Sequence, residues 1–593
     1  MSGSIERARA AEAGLATLAL AGVVILQGLT IGCNPAPPAR KGATPPQQRD
    51  GGPAQAAAAR SEEARVAPFI DITREAGIRF VHNTGGTGRH YLPETMGSGC
   101  AFFDYDGDGD PDLYFANGTA LPGDGRAPTS GALYRNRGGG TFEEVTLEAA
   151  LSDPFYGMGV AVGDIDGDGD TDLFVSAVGP DRLYVNRGDG TFEEAGERAG
   201  VADPGFGASA AFLDYDLDGD LDLYVSRYVA WSAESDQFCT LDGSTKSFCT
   251  PELYRGLADR LYRNRGDGTF EDVTRQAGVE RPGGKTLGVA ILDANADGWP
   301  DVAVANDTSP NYLFLNRGDG TFREVGVQMG IAYSESGSAR GGMGIDAADY
   351  DQDGMDDILI GNFSKEMAAL FRGSRAGRYL DLAAPAGLGL PTLLTLAFGA
   401  FFFDHDLDGS LDVLIINGHI EPDIQKVQEI ISYAQPPQLF RGTGSGRFEI
   451  IEHAGGALSG AYVGRGAAYA DIDGDGDLDV AVTQNGRPAM LWRNDTPAGQ
   501  AWLRVKPVGN RSNRSGLGVI LRVHTADGVR TAVVRSGSSY LSASEQVATV
   551  GLGRTEQRRA HAELVWPGGA VQDLGEVPLN QRLTVLEGEP PRY

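Results

Sequence analysis

One nine-residue pattern recurs seven times and limits what this chain can fold into more than any other feature. It places an acid at positions 1, 3, 5 and 9 and Gly at position 6. The first copy uses Asp104, Asp106, Asp108 and Asp112, the second Asp164, Asp166, Asp168 and Asp172, and the third Asp214, Asp216, Asp218 and Asp222. The fourth has Asp293, Asn295, Asp297 and Asp301, the fifth Asp349, Asp351, Asp353 and Asp357. The sixth has Asp404, Asp406, Asp408 and Asp412, the seventh Asp471, Asp473, Asp475 and Asp479. Successive first acids stand 60, 50, 79, 56, 55 and 67 residues apart.

The spacing carries a chemistry. Side chains at alternating positions turn inward around one hard cation, and Gly at position 6 allows the sharp turn that points the next carbonyl at it. The Glu that closes an EF-hand at position 12 is missing, and Asp at position 9 stands in for it. Oxygen-only ligands favour Ca²⁺, up to seven ions in all. Without a cation these carboxylates repel one another at close range. A solvated acidic turn explains one copy, but not seven with the same glycine.

The flanks are short strands. Cys100-Ala-Phe-Phe103 precedes the first loop and Asp112-Leu-Tyr-Phe-Ala116 follows it, so each loop caps a β-hairpin. A second module follows, as in Leu133-Tyr-Arg-Asn-Arg-Gly-Gly-Gly-Thr-Phe142, and adds a strand, a Gly-rich turn and a strand. Four strands per unit of this size describe propeller blades. The seventh unit lacks its last strand, and Phe69-Ile-Asp-Ile-Thr73 near the N-terminus matches that strand in Phe270-Glu-Asp-Val-Thr274. The expectation is all-β: a seven-bladed β-propeller over residues 67–495, closed by its N-terminal strand, then a small β-sandwich over 496–593.

These loops resemble the FG-GAP/VCBS repeats of integrin α-subunit propellers, which implies Ca²⁺ ligand roles for the 28 positions named above. The C-terminal region resembles the ASPIC/UnbV domain in Asn513-Arg-Ser-Gly-Leu-Gly518, Arg535-Ser-Gly-Ser-Ser-Tyr-Leu-Ser542, Val550-Gly-Leu-Gly553 and Val565-Trp-Pro-Gly-Gly569. That domain is paired with such a propeller in bacterial relatives of cartilage acidic protein. The resemblance implies architecture more than activity.

Arg7 and Arg9 precede an apolar run from Leu15 to Ile31 that meets Gly32-Cys33, which reads as an export signal over residues 1–33. It resembles a bacterial lipoprotein signal, which implies lipidation of Cys33. An ordinary signal peptide and an uncleaved membrane anchor are the alternatives. Residues 34–66, rich in Pro, Ala, Gln and Arg, read as a disordered tether. The expected location is outside the cytoplasm, periplasmic or at the cell surface, tethered to the membrane by lipid or anchor. An exported chain permits a disulfide between Cys239 and Cys249, ten residues apart, and Cys100 reads as a buried thiol.

No nucleophile elbow, phosphate loop or His-Glu-x-x-His occurs, and the seven histidines show no zinc-ligand spacing. His82, His90 and Glu94, with Asn306, Asp307, Asn362, His419 and Asn485, fall on loops that a propeller gathers at one face. They define a candidate axial pocket around His82, Glu94, Asn306, Asp307 and His419; capping of turns is the competing role. Three Arg-Gly-Asp triplets, at Arg187, Arg265 and Arg317, fall in one slot of the repeat and read as blade turns. The net charge of −31 falls to −4 when the 27 loop aspartates are set aside, so the acidity counts metal ligands, and nucleic acid is excluded as a partner. The expected function is binding of a protein or glycan. The alternative is an extracytoplasmic enzyme acting on carbohydrate or a small metabolite at the propeller axis.

Overall fold

The computed structural model describes residues 69–121, 125–452, 455–496 and 499–592. The export signal, Cys33 and the tether lie outside the described residues. Among the described residues no helix is long and apolar enough to cross a membrane.

Among the described residues, 69–494 form seven four-stranded antiparallel units, five of them separate sheets and two joined in one eight-stranded sheet. Blade one is Cys100–Phe103, Asp112–Phe115, Ala132–Asn136 and Phe142–Glu144. Blades two to six repeat that order, beginning at Gly157, Pro204, Thr286, Gly342 and Ala397. Blade seven takes Gly464–Ala470, Asp479–Gln484 and Met490–Asn494 from the end of the region and Phe69–Asp71 from its start, with Phe69 opposite Asn494. Blades two and three are also stitched by a pairing of Val178–Pro180 with Pro204–Phe206. The innermost strands touch in sequence around a ring, and the last meets the first. Closure leaves only short outer edges unpaired.

The strands are apolar on both faces, so the core lies between blades. Ala211, Leu213, Tyr224, Val289 and Phe314 fill the space between blades three and four. Phe69, Phe401, Leu414, Val482 and Trp492 fill that between six and seven.

Residues 501–586 form two further sheets. One orders Ala548–Gly553, Ala501–Val508 and Arg582–Leu586, the last pair parallel. The other orders Gly528–Val533, Ile520–Thr525, Arg559–Val565 and Val571–Pro578. This region packs directly against the propeller. Leu503, Val505, Leu521 and Leu564 belong to one apolar cluster with Ala161, Phe174, Phe212 and Leu223 of blades two and three.

The firmest join is a plug. Between its strands, the C-terminal region sends residues 535–546 down the propeller axis, where Tyr540 and Leu541 have no exposed surface. The segment meets the innermost strand of every blade. Ala543 N–H donates to the Cys100 carbonyl at 2.9 Å, Val160 N–H to that of Leu541 at 2.9 Å, and Leu541 N–H to the Ser209 hydroxyl at 3.0 Å. Arg535 donates to the Ile291 carbonyl at 3.1 Å, and Ile345 N–H to that of Ser539 at 2.9 Å. Tyr540 stands edge-on to Phe398 at 4.8 Å, and Glu545 N–H donates to the Tyr469 carbonyl at 3.0 Å. Gly99 is required by the close approach: a Cβ there would lie 1.5 Å from the Leu541 carbonyl oxygen.

Candidate metal centres and the axial residues

All seven acidic loops link the first two strands of a blade. Position 9 begins the second strand, so Asp112, Asp172, Asp222, Asp301, Asp357, Asp412 and Asp479 are all buried. Each closes its loop in the same way. One oxygen accepts the backbone N–H of position 2, as Tyr105 to Asp112 at 3.0 Å. The other accepts an N–H from the third strand, as Asn136 to Asp112 at 2.8 Å. Burial pushes the carboxyl up to about 8 in Asp112, Asp172 and Asp301 and to about 9 in Asp357, against the pull of those two N–H donors.

Position 1 accepts N–H groups from its own turn: Asp164 from Gly167 at 2.7 Å and Gly169 at 2.8 Å, Asp349 from Asp353 at 3.0 Å and Gly354 at 2.9 Å. Burial, then the aspartates at positions 5 and 3, raise Asp214 to about 7. Position 4 is left-handed in all seven loops. Gly107, Gly167 and Gly474 hold it without strain, whereas Leu217, Ala296, Gln352 and Leu407 hold it at φ of 54 to 59°.

The carboxylates converge. In the loops beginning at Asp104, Asp214 and Asp349, oxygens of positions 1, 3 and 5 lie within 4.8 Å of one another. In the second loop Asp164, Asp166 and Asp172 do so, and in the sixth Asp406, Asp412 and the ring of His405. Position 3 supplies the sharpest mark. A buried oxygen of Asp216, Asp351, Asp406 and Asp473 has no hydrogen-bond partner, and neither has one of Asp104 in the first loop. A buried carboxylate oxygen left bare is costly, and a hard cation is the partner that these converging carboxylates fit. The fourth loop differs: the Asn295 amide donates to Asp297 at 2.8 Å.

A residue whose role the sequence does not show ties neighbouring loops together in five of the seven blades. The third-strand Asn136, Asn186, Asn264, Asn316 and Asn494 are buried. Each donates its amide to the position-2 carbonyl of the preceding blade's loop: Asn186 to Tyr105, Asn264 to Ile165, Asn316 to Tyr215 and Asn494 to His405 at 2.7 Å, and Asn136 to Ile472 at 2.9 Å. Loop geometry in one blade therefore sets the seat of the next.

The C-terminal region sits on this face. Arg504, 2 % exposed, pairs with Asp471 and, at 2.5 Å, with Glu545. Lys506 approaches Asp104 at 3.4 Å, Arg535 pairs with Asp356, and Arg530 donates to the Gly409 carbonyl at 2.7 Å. Beside loops three to five a cleft of about 530 Å³ remains, lined by Leu217, Asp293, Trp299, Asp349, Arg522 and Trp566.

His82 and His419 both lie beside the buried Arg465, and burial, then that guanidinium, lowers them to about 3 and about 4. Arg465 stacks on Phe398 at 4.0 Å, the ring that Tyr540 meets from the plug. His82 Nδ1 accepts the Gly486 N–H at 3.1 Å, and Glu94 accepts that of Tyr91 at 3.1 Å. Asn306 accepts the Lys285 N–H at 2.8 Å, and Asp307 the Tyr228 hydroxyl at 2.7 Å. The His419 ring meets Phe363 at 5.6 Å. Backbone N–H groups engage His82 Nδ1, Glu94 and Asn306, whereas the buried His82 Nε2 has no hydrogen-bond partner. Cys239 and Cys249 are joined as a disulfide, and Cys100 is free and buried. Residues 240–245 between the cysteines are exposed, while Trp231 ahead of them stands edge-on to Tyr91 at 5.4 Å. Each Arg-Gly-Asp triplet is a turn, in which Asp189, Asp267 and Asp319 hold Thr191, Thr269 and Thr321.

The fold and its loops define a propeller of acidic hairpins with a β-domain plugged into its axis. The chain belongs to the FG-GAP-like repeat family, which matches residues 104–225, 248–360 and 404–482, and ASPIC and UnbV matches residues 509–592. It is 28 % identical over 334 residues to cartilage acidic protein 1 of Homo sapiens, covering 54 % of this chain and 47 % of that one. The protein of the same name from Mus musculus is also 28 % identical over 334 residues, covering 54 % of this chain and 48 % of that one. The chain thus spans about half the length of the curated relatives it matches. Among solved structures, an Agrocybe aegerita lectin described as recognising non-reducing terminal N-acetylglucosamine aligns at a TM-score of 0.37 and 16 % identity, over 67 % of this chain and 95 % of its own. YCF48 bound to D1 peptide aligns at 0.38 and 10 %, over 68 % and 95 %. Both scores lie below 0.5.

Proposed function

We propose that this chain is an exported Ca²⁺-binding propeller that binds a protein or glycan, the ions holding its hairpins in place. The observation that carries binding over catalysis is the filled axis. Residues 535–546 occupy the place where an axial active site would open, and His82, Glu94 and Asn306 each accept a backbone N–H. The bare oxygens of Asp216, Asp351, Asp406 and Asp473 support calcium. The Cys239–Cys249 disulfide suits an oxidising compartment and supports export, with Cys33 as the membrane tether.

The test is a glycan array together with an affinity pull-down, each in millimolar Ca²⁺ and in chelator. Binding in Ca²⁺ that is lost in chelator, with the ligand recovered unaltered, is the expected result. A ligand recovered as product would instead establish the enzyme acting on carbohydrate or a small metabolite. Binding indifferent to chelator would overturn the role given to the ion.

A further inference from the structure

The outer face of the four-stranded C-terminal sheet carries a cluster far removed in chemistry from the acidic loops. In strand Ile520–Thr525 the apolar Leu521 and Val523 point into the core, which turns Arg522 and His524 outward. In Arg559–Val565 the inward residues are Ala560, Ala562 and Leu564, which turns His561 and Glu563 outward. The pairing register sets His524 directly opposite His561, and Glu563 opposite Asp573 of strand Val571–Pro578. The two imidazoles stand 5.1 Å apart, centre to centre. His561 Nε2 lies 3.4 Å from an Asp573 oxygen, and His524 Nε2 lies 3.9 Å from a Glu563 oxygen.

We propose that His524, His561, Glu563 and Asp573 form a binding site for a divalent transition metal, with Zn²⁺ the best fit. In a tetrahedral site with bonds of about 2.0–2.1 Å, ligand atoms stand roughly 3.3 Å from one another. Both nitrogen–oxygen pairs are already near that spacing. Two neutral imidazoles and two carboxylates balance a double positive charge, and the nitrogens select against Ca²⁺. Three paired strands hold the four side chains, so small rotations bring them onto one ion, with no loop to order first. Arg522, 3.3 Å from the same Glu563 oxygen, competes for it and limits the affinity. His524 and His561 are 42 % and 39 % exposed, which leaves an ion free access.

The experiment uses the full chain, stripped with chelator and then held in millimolar Ca²⁺ so that the acidic loops are occupied. Zn²⁺ is titrated by calorimetry, and Co²⁺ is added separately to read its visible absorption. The expected result is one saturable Zn²⁺ site per chain and a tetrahedral Co²⁺ spectrum. His524→Ala or His561→Ala should weaken binding at least tenfold without moving the melting temperature in Ca²⁺. Absence of saturable Zn²⁺ would overturn the proposal. So would a double variant that binds Zn²⁺ as the wild type does, because the ion would then lie in the loops.

Discussion

Removing the Tyr540 ring should loosen the whole molecule, because the plug is the part that touches all seven blades. Tyr540 has no exposed surface, meets Phe398 at 4.8 Å and donates its hydroxyl to the Met96 carbonyl at 3.1 Å. Tyr540→Phe removes only the hydrogen bond, worth about 1 kcal/mol. Tyr540→Ala removes the ring as well and leaves a cavity, for a total of about 4 kcal/mol. An unfolding entropy of about 2.1 cal/mol/K per residue over roughly 520 residues gives about 1 kcal/mol per degree. Calorimetry in saturating Ca²⁺ should therefore show the melting temperature falling by about 1 °C for Phe and about 4 °C for Ala. Propeller and C-terminal region should melt in one transition in all three proteins. A separate C-terminal transition, with the propeller melting at its wild-type temperature in Tyr540→Ala, would refute the plug as the joining element.

Three further outcomes follow from the same geometry. Ala296→Gly relieves a left-handed backbone at an exposed position and should raise the melting temperature by about 1 °C, since such a residue costs about 1–2 kcal/mol and the more flexible Gly chain returns part of it; a fall would refute the strain. Arg504→Met leaves Asp471 and Glu545 buried without their cation and should cost about 3–5 kcal/mol in chelator; denaturant midpoints equal to wild type would contradict it. His82 is held neutral, near 3 against an ordinary 6.5, so its contribution is present above pH 6.5 and fades as the unfolded chain takes up the proton on acidification. Between pH 7 and pH 5 wild type should lose about 2 kcal/mol more than His82→Gln, read as melting temperatures in one buffer series, and equal losses would contradict that neutral burial.

The loops were legible because metal chemistry needs particular side chains at fixed spacing, and the need recurs seven times. Phe69-Ile-Asp-Ile-Thr73 was legible as the closing strand because it copies Phe270-Glu-Asp-Val-Thr274. The plug was not. Arg535-Ser-Gly-Ser-Ser-Tyr-Leu-Ser542 occurs once, has no periodicity and is polar by composition, yet its small residues are what a narrow axis admits. The left-handed position 4 was hidden because only three of the seven loops place Gly there. The Asn staples sat inside a visible strand motif, but their partners lie on the preceding blade. His524 and His561 are far apart in sequence and meet only through strand register.

On the proposed function, the seven loops hold calcium and calcium holds the propeller. Equilibrium dialysis of chelator-stripped protein against millimolar Ca²⁺ reads it directly as bound ions per chain. Seven occupied loops give a value approaching seven, falling by one in Asp166→Ala with the fold intact. A value below one, or the same value in the variant and the wild type, would contradict it.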